Sequence, residues 1–173
     1  REAITLLRND ANILPLSFSE ASTSVSLALV GPLADDADVM EGSKQDYMAA
    51  HIVSVKEGIE TFLKGHSSDV RVDYSPGLLT VKDRNTSTQA YKAAVDNAAA
   101  ADVAVLVVGI DGSVEAEAKD RPNVLLPGAQ QQLLKDVAAR RARENKKGGM
   151  IVVIINGGPI SCDWLRDTTH DIA

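Results

Sequence analysis

The run Val103 to Val108 reads VAVLVV and meets Gly109 at once, and three other short runs follow the same plan. Val25 to Val30 (VSLALV) ends in Gly31-Pro32, Val70 to Tyr74 (VRVDY) in Ser75-Pro76-Gly77, and Met150 to Ile155 (MIVVII) in Asn156-Gly157-Gly158. Continuous β-branched runs closed by Gly or Pro are how strands covered on both faces read, which describes VAVLVV, VSLALV and MIVVII. VRVDY alternates apolar and polar residues and is predicted at the sheet edge.

Between these runs the apolar spacing turns helical. Val53, Ile59, Phe62 and Leu63 mark one helix, opened by Ser54 or a neighbour and closed near Gly65. Thr88 to Ala100 marks a second, with Thr88 as its N-cap. Pro127 to Arg143 marks a third, with Leu133, Leu134, Val137 and Ala138 on one stripe and arginines at its end. The βαβαβαβ order predicts an α/β fold: an open three-layer α/β sandwich with a mostly parallel sheet and helices on both faces. Residues 21–173 are expected to form this domain, preceded by a lead-in helix and linker over residues 1–20.

Composition narrows the function. The 173 residues are 45% apolar and only 3% aromatic, with a formal net charge of -6. Such a balance excludes a basic nucleic-acid stripe. The single basic cluster (Arg140, Arg141, Arg143, Lys146, Lys147) falls at a helix end, where it is expected to complement the helix dipole and stay solvated. Cys162 is the only cysteine, so no internal disulfide or thiolate metal site forms. No apolar stretch approaches the ~20 residues of a membrane span. Arg1 opens inside a helical pattern and His170 to Ala173 stops mid-element, so the chain is expected to be a piece of a larger protein.

In an open parallel sheet, functional groups gather in the loops after the strands' carboxyl ends. That rule selects residues 31–46, 109–127 and 156–163. Gly31-Pro32 and Gly109 do not continue as a dinucleotide or P-loop fingerprint. His51, His66 and His170 lack ligand spacing, and Ser24, Ser113 and Ser161 lack a nucleophile-elbow context. No metal or cofactor is implied. Trp164 with Leu165 is expected to pack as a short amphipathic turn rather than form a sugar-stacking platform. Asn85-Thr86-Ser87 is an N-glycosylation sequon.

The loop after Gly109 carries the chemistry. Asp111, Glu115, Glu117 and Asp120 stand there with Lys119 and Arg121. Composition alone reads this as a solvated acidic loop pinned by an Asp120–Arg121 ion pair. Yet Gly109-Ile110-Asp111, Glu115-Ala116-Glu117, Asp120-Arg121 and Leu126-Pro127-Gly128-Ala129-Gln130 together resemble the acid/base loop of family 3 glycoside hydrolases, nearest the β-xylosidase and β-glucosidase branch. Ala3 to Asp10 with Ile13-Leu14-Pro15-Leu16, Leu27 to Pro32 with Ala34-Asp35, Met40-Glu41-Gly42, Glu57-Gly58-Ile59 and Asn156 to Pro159 are similar to the same family in the same order.

The resemblance implies a second domain that supplies the general acid/base carboxylate, while a (β/α)8 barrel outside this chain supplies an Asp nucleophile. Retaining hydrolysis needs the two carboxyl groups about 5–5.5 Å apart, with the acid holding its proton at working pH. Glu117, nearest Asp120-Arg121, matches the acid/base position best and Glu115 is the other candidate. In an extended loop the two would point to opposite sides. Asp120, Arg121 and Asp111 are expected to support the loop or touch substrate. The implied partners are the barrel and a β-linked xyloside or glucoside, and the implied setting is a secreted protein. On its own the piece is expected to be inactive. The competing expectation is a non-catalytic α/β module that binds carbohydrate or docks a partner domain. One departure concerns Met40-Glu41-Gly42-Ser43-Lys44, where the family's Tyr has no equivalent unless Tyr47 serves. The chain also stops before the family's later Gly-rich stretch.

Overall fold

Among the described residues four parallel strands, β1 (Val25–Val30), β2 (Val70–Ser75), β3 (Val103–Gly109) and β4 (Met150–Ile155), form one sheet in the order β2-β1-β3-β4. The computed structural model describes residues 4–9, 12–17, 24–41, 50–66, 69–146 and 149–166. Among the described residues four helices accompany the strands: α1 (Val55–His66), α2 (Gln89–Ala100), α3 (Gln130–Arg143) and the short α4 (Asp163–Arg166). A 3-10 turn spans Asp38–Glu41.

The two central strands explain their own sequences. Successive side chains of a strand face opposite sides. Ala28, Val30, Leu106 and Val108 face a core with Leu78, Tyr91 and Ala94 and with Leu133, Leu134 and Val137 of α3. Leu27, Leu29, Val105 and Val107 face a second core with Leu33, Val81 and half-buried Val55 and Ile59 of α1. A strand covered on both faces has no polar position to spare, and each fully buried Leu or Val there contributes about 1.5–3 kcal/mol. VRVDY forms the edge strand, as its alternation predicts.

MIVVII is packed on both faces, as its continuous run predicts: Met150, Val152 and Ile154 meet the first core, and Ile151, Val153 and Ile155 the second. β4 is an edge strand with β3 as its neighbour among the described residues, and Val152 to Ile155 are only half-buried. A continuous apolar run reports covering on two faces and carries no information about lateral neighbours.

Helix starts follow side-chain chemistry. Ser54 Oγ accepts from the Glu57 N–H at 3.1 Å, and Thr88 Oγ1 accepts from the Tyr91 N–H at 3.0 Å. Both satisfy backbone donors that a helix leaves open in its first turn. The third helix starts at Gln130, three residues later than Pro127, after Gly128 at φ 63°. In α1 the inward stripe is Val55, Ile59 and Leu63; Phe62 lies outside it, stacked on the His66 ring with centroids 4.2 Å apart. Trp164 and Leu165 pack against the first core.

Two expectations are corrected. Residues 4–9 and 12–17 contain no helix. The Asn9 side chain donates to the Leu14 carbonyl at 2.7 Å and accepts from the Leu14 N–H at 3.0 Å, and Pro15 follows with no N–H to donate. Ile13, Leu14 and Leu16 instead pack onto the second core face. Arg141, expected to be solvated, is buried: its guanidinium donates to the carbonyls of Ala98 (2.6 Å), Ala101 (2.9 Å) and Asp102 (3.1 Å). A residue on α3 thus closes the open carbonyl end of α2.

Replacing Arg141 by Met should cost about 2–4 kcal/mol in urea unfolding, because three carbonyls lose a charge-assisted donor. Asp102 gives a pH test. Backbone and hydroxyl donation from Ser26, at 2.9 and 2.7 Å, holds its carboxyl below the ordinary value. A depressed folded value means the contribution is fully present above the unfolded value near 4 and fades as pH falls through the folded one. The stability gap between wild type and Asp102→Asn, followed by thermal melts, should therefore close as pH drops below about 4.

Candidate functional site

The strand order puts the first and third strands side by side with crossovers leaving in opposite directions, the point where open α/β sheets bind ligands. At the end of β3 the backbone turns at Gly109, with φ 149°, and a Cβ there would lie 1.9 Å from the Ile155 carbonyl oxygen. Only glycine fits this approach.

Leaving the ladder exposes buried backbone groups, and a side chain meets them. Gln130 Oε1 accepts from the Gly109 N–H at 2.8 Å. Its Nε2 is shared among the carbonyls of Gly109 (2.9 Å), Val81 (3.0 Å) and Pro127 (3.2 Å). Asp83 adds a second tie to this corner: its carbonyl accepts from Ala129 at 2.8 Å, while the N–H groups of Asn85 and Leu79 hold its carboxyl below the usual range.

Beyond Gly109 the loop folds in two stages. Asp111 Oδ1 accepts from the Ser113 N–H at 2.9 Å, and its carbonyl accepts from Val114 (3.0 Å) and Glu115 (3.2 Å). Asp111 is a loop support. Ala116 and Lys119 then exchange N–H···O bonds of 3.2 and 2.9 Å, closing a tight turn with Glu117 and Ala118 at its tip. Ala118 takes φ 60° there. The loop is therefore a hairpin here and not an extended segment.

This hairpin separates the two Glu candidates. Glu117 is exposed at the tip, and no hydrogen bond or ion pair among the described residues engages its carboxylate. Glu115 accepts from Arg121 Nε through Oε2. Arg121 Nη2 also donates to the Pro159 carbonyl at 2.6 Å, in the turn that follows β4. The Arg121 side chain is 7% exposed and that of Glu115 34%. Gly158 lies directly behind: a Cβ there would come within 2.1 Å of Glu115 Oε1. The expected Asp120–Arg121 pair does not form, because the hairpin brings residues 115 and 121 together and leaves Asp120 exposed. Arg121 Nη1 is buried without a partner among the described residues, a cost of about 1–3 kcal/mol that the two charge-assisted bonds offset.

From the first turn of α1, Lys56 Nζ donates to Asp35 Oδ2 in the loop after β1 at 2.8 Å and stands 5.0 Å from the Tyr74 ring centroid. The bond to Asp35 raises the Lys56 pKa. Gly42, Ser43, Lys44 and Tyr47 fall outside the described residues, as do Lys147 and the chain end after Arg166. Among the described residues no cluster of His, Cys, Asp and Glu could hold a metal, and no helix is long and apolar enough to cross a membrane.

Residues 4–172 match the family described as glycosyl hydrolase family 3 C-terminal domain. The chain belongs to that family. Its relatives include Beta-xylosidase/alpha-L-arabinofuranosidase 1 of Medicago sativa subsp. varia, 37% identical over 80% of this chain, and Beta-D-xylosidase 3 of Arabidopsis thaliana, 40% identical over 80%. The match to this chain spans only 16% of either relative's length. Among solved structures it is similar to a GH3 exo-beta-xylosidase in complex with a xylobiose aziridine probe, with TM-score 0.69 and 27% identity, covering 89% of this chain and 17% of that one. A GH3 beta-glucosidase of Bifidobacterium adolescentis aligns with TM-score 0.65 and 25% identity, over 90% of this chain and 20% of that one.

Sequence reasoning missed Gln130, Asp83, the Pro159 carbonyl and Gly158 as parts of this site in the family 3 domain. Gln130 carried a signal: a polar side chain in the first turn of a helix otherwise poised to bury its face, placed just after the loop. Gln130→Leu should leave the Gly109 N–H and three carbonyls unmet and lower stability by about 2–4 kcal/mol in urea unfolding, with faster amide exchange across residues 109–130.

Proposed function

We propose that this domain supplies the general acid/base of a retaining β-glycosidase, with Glu117 as that group and a barrel domain elsewhere in the parent protein supplying the nucleophile. The observation that carries this reading is the contrast within the hairpin. Glu115 is engaged by Arg121, whereas Glu117 stands on an exposed two-residue tip with its carboxylate unengaged. A group that must reach a leaving oxygen on another body needs that exposure before the two bodies meet. Relatives named as β-xylosidases, with solved structures named as an exo-beta-xylosidase and a beta-glucosidase, favour an exo-acting enzyme on β-linked xylosides or glucosides, and a secreted parent protein belongs to the same reading.

In this arrangement Glu117 protonates the departing glycosidic oxygen and, as carboxylate, then takes a proton from the attacking water. The domain holds one of the two carboxyl groups and is inactive by itself. In the full-length protein Glu117→Gln should lower the rate on an aryl β-xyloside by about 10²–10⁴-fold. Azide, an anionic nucleophile that attacks the glycosyl-enzyme without help from a base and releases a glycosyl azide, should restore turnover to Glu117→Gly. Rescue confined to Glu115→Gly would transfer the role to Glu115. Cleavage by the isolated 173 residues, abolished by Glu117→Gln, would end the two-domain reading.

A further inference from the structure

We propose that Arg121 is a positioning residue for this reaction, acting through Glu115 and the turn after β4 to fix where Glu117 points; the proposal rests on the acid/base reading of Glu117. Residues 116–120 are held, among the described hydrogen bonds, only by the Ala116–Lys119 pair. Their orientation over the sheet is therefore set at the two stems of the hairpin, Glu115 and Arg121. The guanidinium grips both at once. Nε takes the carboxylate of one stem, Arg121 itself is the other stem, and Nη2 reaches the Pro159 carbonyl beyond β4.

A guanidinium is planar, so two bonds from neighbouring nitrogens define its plane as well as its place. A lysine keeps the charge and loses that plane. Gly158 completes the clamp from behind. Its missing side chain leaves room for Glu115 Oε1: the three atoms nearest to an added methyl group all belong to that movable carboxylate, so the group would displace it and break the ion pair. Proton delivery needs hydrogen-bond reach to the leaving oxygen, and a misplacement of about 1 Å can cost on the order of 100-fold.

Leaving-group dependence tests the role in the full-length enzyme. A 2,4-dinitrophenyl glycoside departs without a proton, whereas a phenyl glycoside of the same sugar needs one. For a retaining enzyme kcat/KM reports the first, bond-breaking step on both. Arg121→Lys should lower kcat/KM on the phenyl glycoside by about 30–100-fold and change the dinitrophenyl value by less than about 3-fold. Glu115→Gln and Gly158→Ala should show the same split, so the test survives if one variant fails to fold. An equal fall on both substrates, or no fall on either, overturns the positioning role. Glu117→Gln is the reference: if it splits the substrates and the clamp variants do not, the positioning role alone is lost. If Glu117→Gln is itself flat, the acid/base reading falls and takes the clamp's role with it.

Discussion

The carboxamide of Gln130 meets a requirement that the sheet creates. β3 lies between two neighbours and ends against the Ile155 carbonyl, where only glycine fits, and its backbone then leaves the ladder inside the protein. An N–H and a C=O are exposed at that point with no strand left to pair them. A primary amide presents the same donor and acceptor as a peptide group, and Gln130 closes both positions of Gly109 while also reaching Val81 and Pro127. Three segments distant in sequence meet at one side chain. Without it the loop would lose the fixed base from which it departs.

The same logic of open backbone ends recurs at the other side of the domain. There Arg141 crosses from α3 to the last carbonyls of α2, and Ser26 and Asp102 exchange hydrogen bonds between the starts of β1 and β3. The small side chains Ala94 and Ala98 lie in the core shared by these helices, and the Tyr91 hydroxyl donates to Asp136 at 2.7 Å across them. The apolar interior supplies the bulk of the favourable energy, but it is indifferent to direction. Directional groups at the strand and helix ends convert a layered hydrophobic stack into one register.

These two kinds of interaction explain what could be read from the chain and what could not. Burial on two faces and helical spacing are local patterns, so the runs around Val25, Val70, Val103 and Met150, the caps Ser54 and Thr88 and the loop carrying Glu115 and Glu117 were all legible. Lateral position in the sheet is not local, so MIVVII reads as covered on two faces and gives no sign that β3 is its one neighbouring strand among the described residues. Ion-pair choice is not local either. Asp120 is adjacent to Arg121 along the chain, but a two-residue turn at Glu117-Ala118 makes Glu115 its neighbour in space. Arg141 reads as one solvated cation among several because its three acceptors lie about 40 residues away. The pattern Leu-Pro-Gly-x-Gln marked Gln130 by resemblance without revealing what it holds.

The length of the loop between Gly109 and Gln130 makes these anchors necessary. Fixing each residue of a backbone costs about 1–2 kcal/mol, and loops beyond about 12–15 residues without regular structure are uncommon unless they serve a function. This loop has few apolar side chains to offset that cost: Ile110 and Leu126, near its ends, are buried. Polar anchors divide it instead. Asp111 folds its first turn, Arg121 ties both stems of the hairpin to Pro159, and the Val124 carbonyl accepts from Ser161 at 2.7 Å before Gln130 closes the far end. Each span between anchors is then short enough to have few alternative conformations. The tip carrying Glu117 is the one stretch left without such an anchor. A carboxylate placed there is exposed while its base stays fixed, a combination that a fully packed loop would not allow.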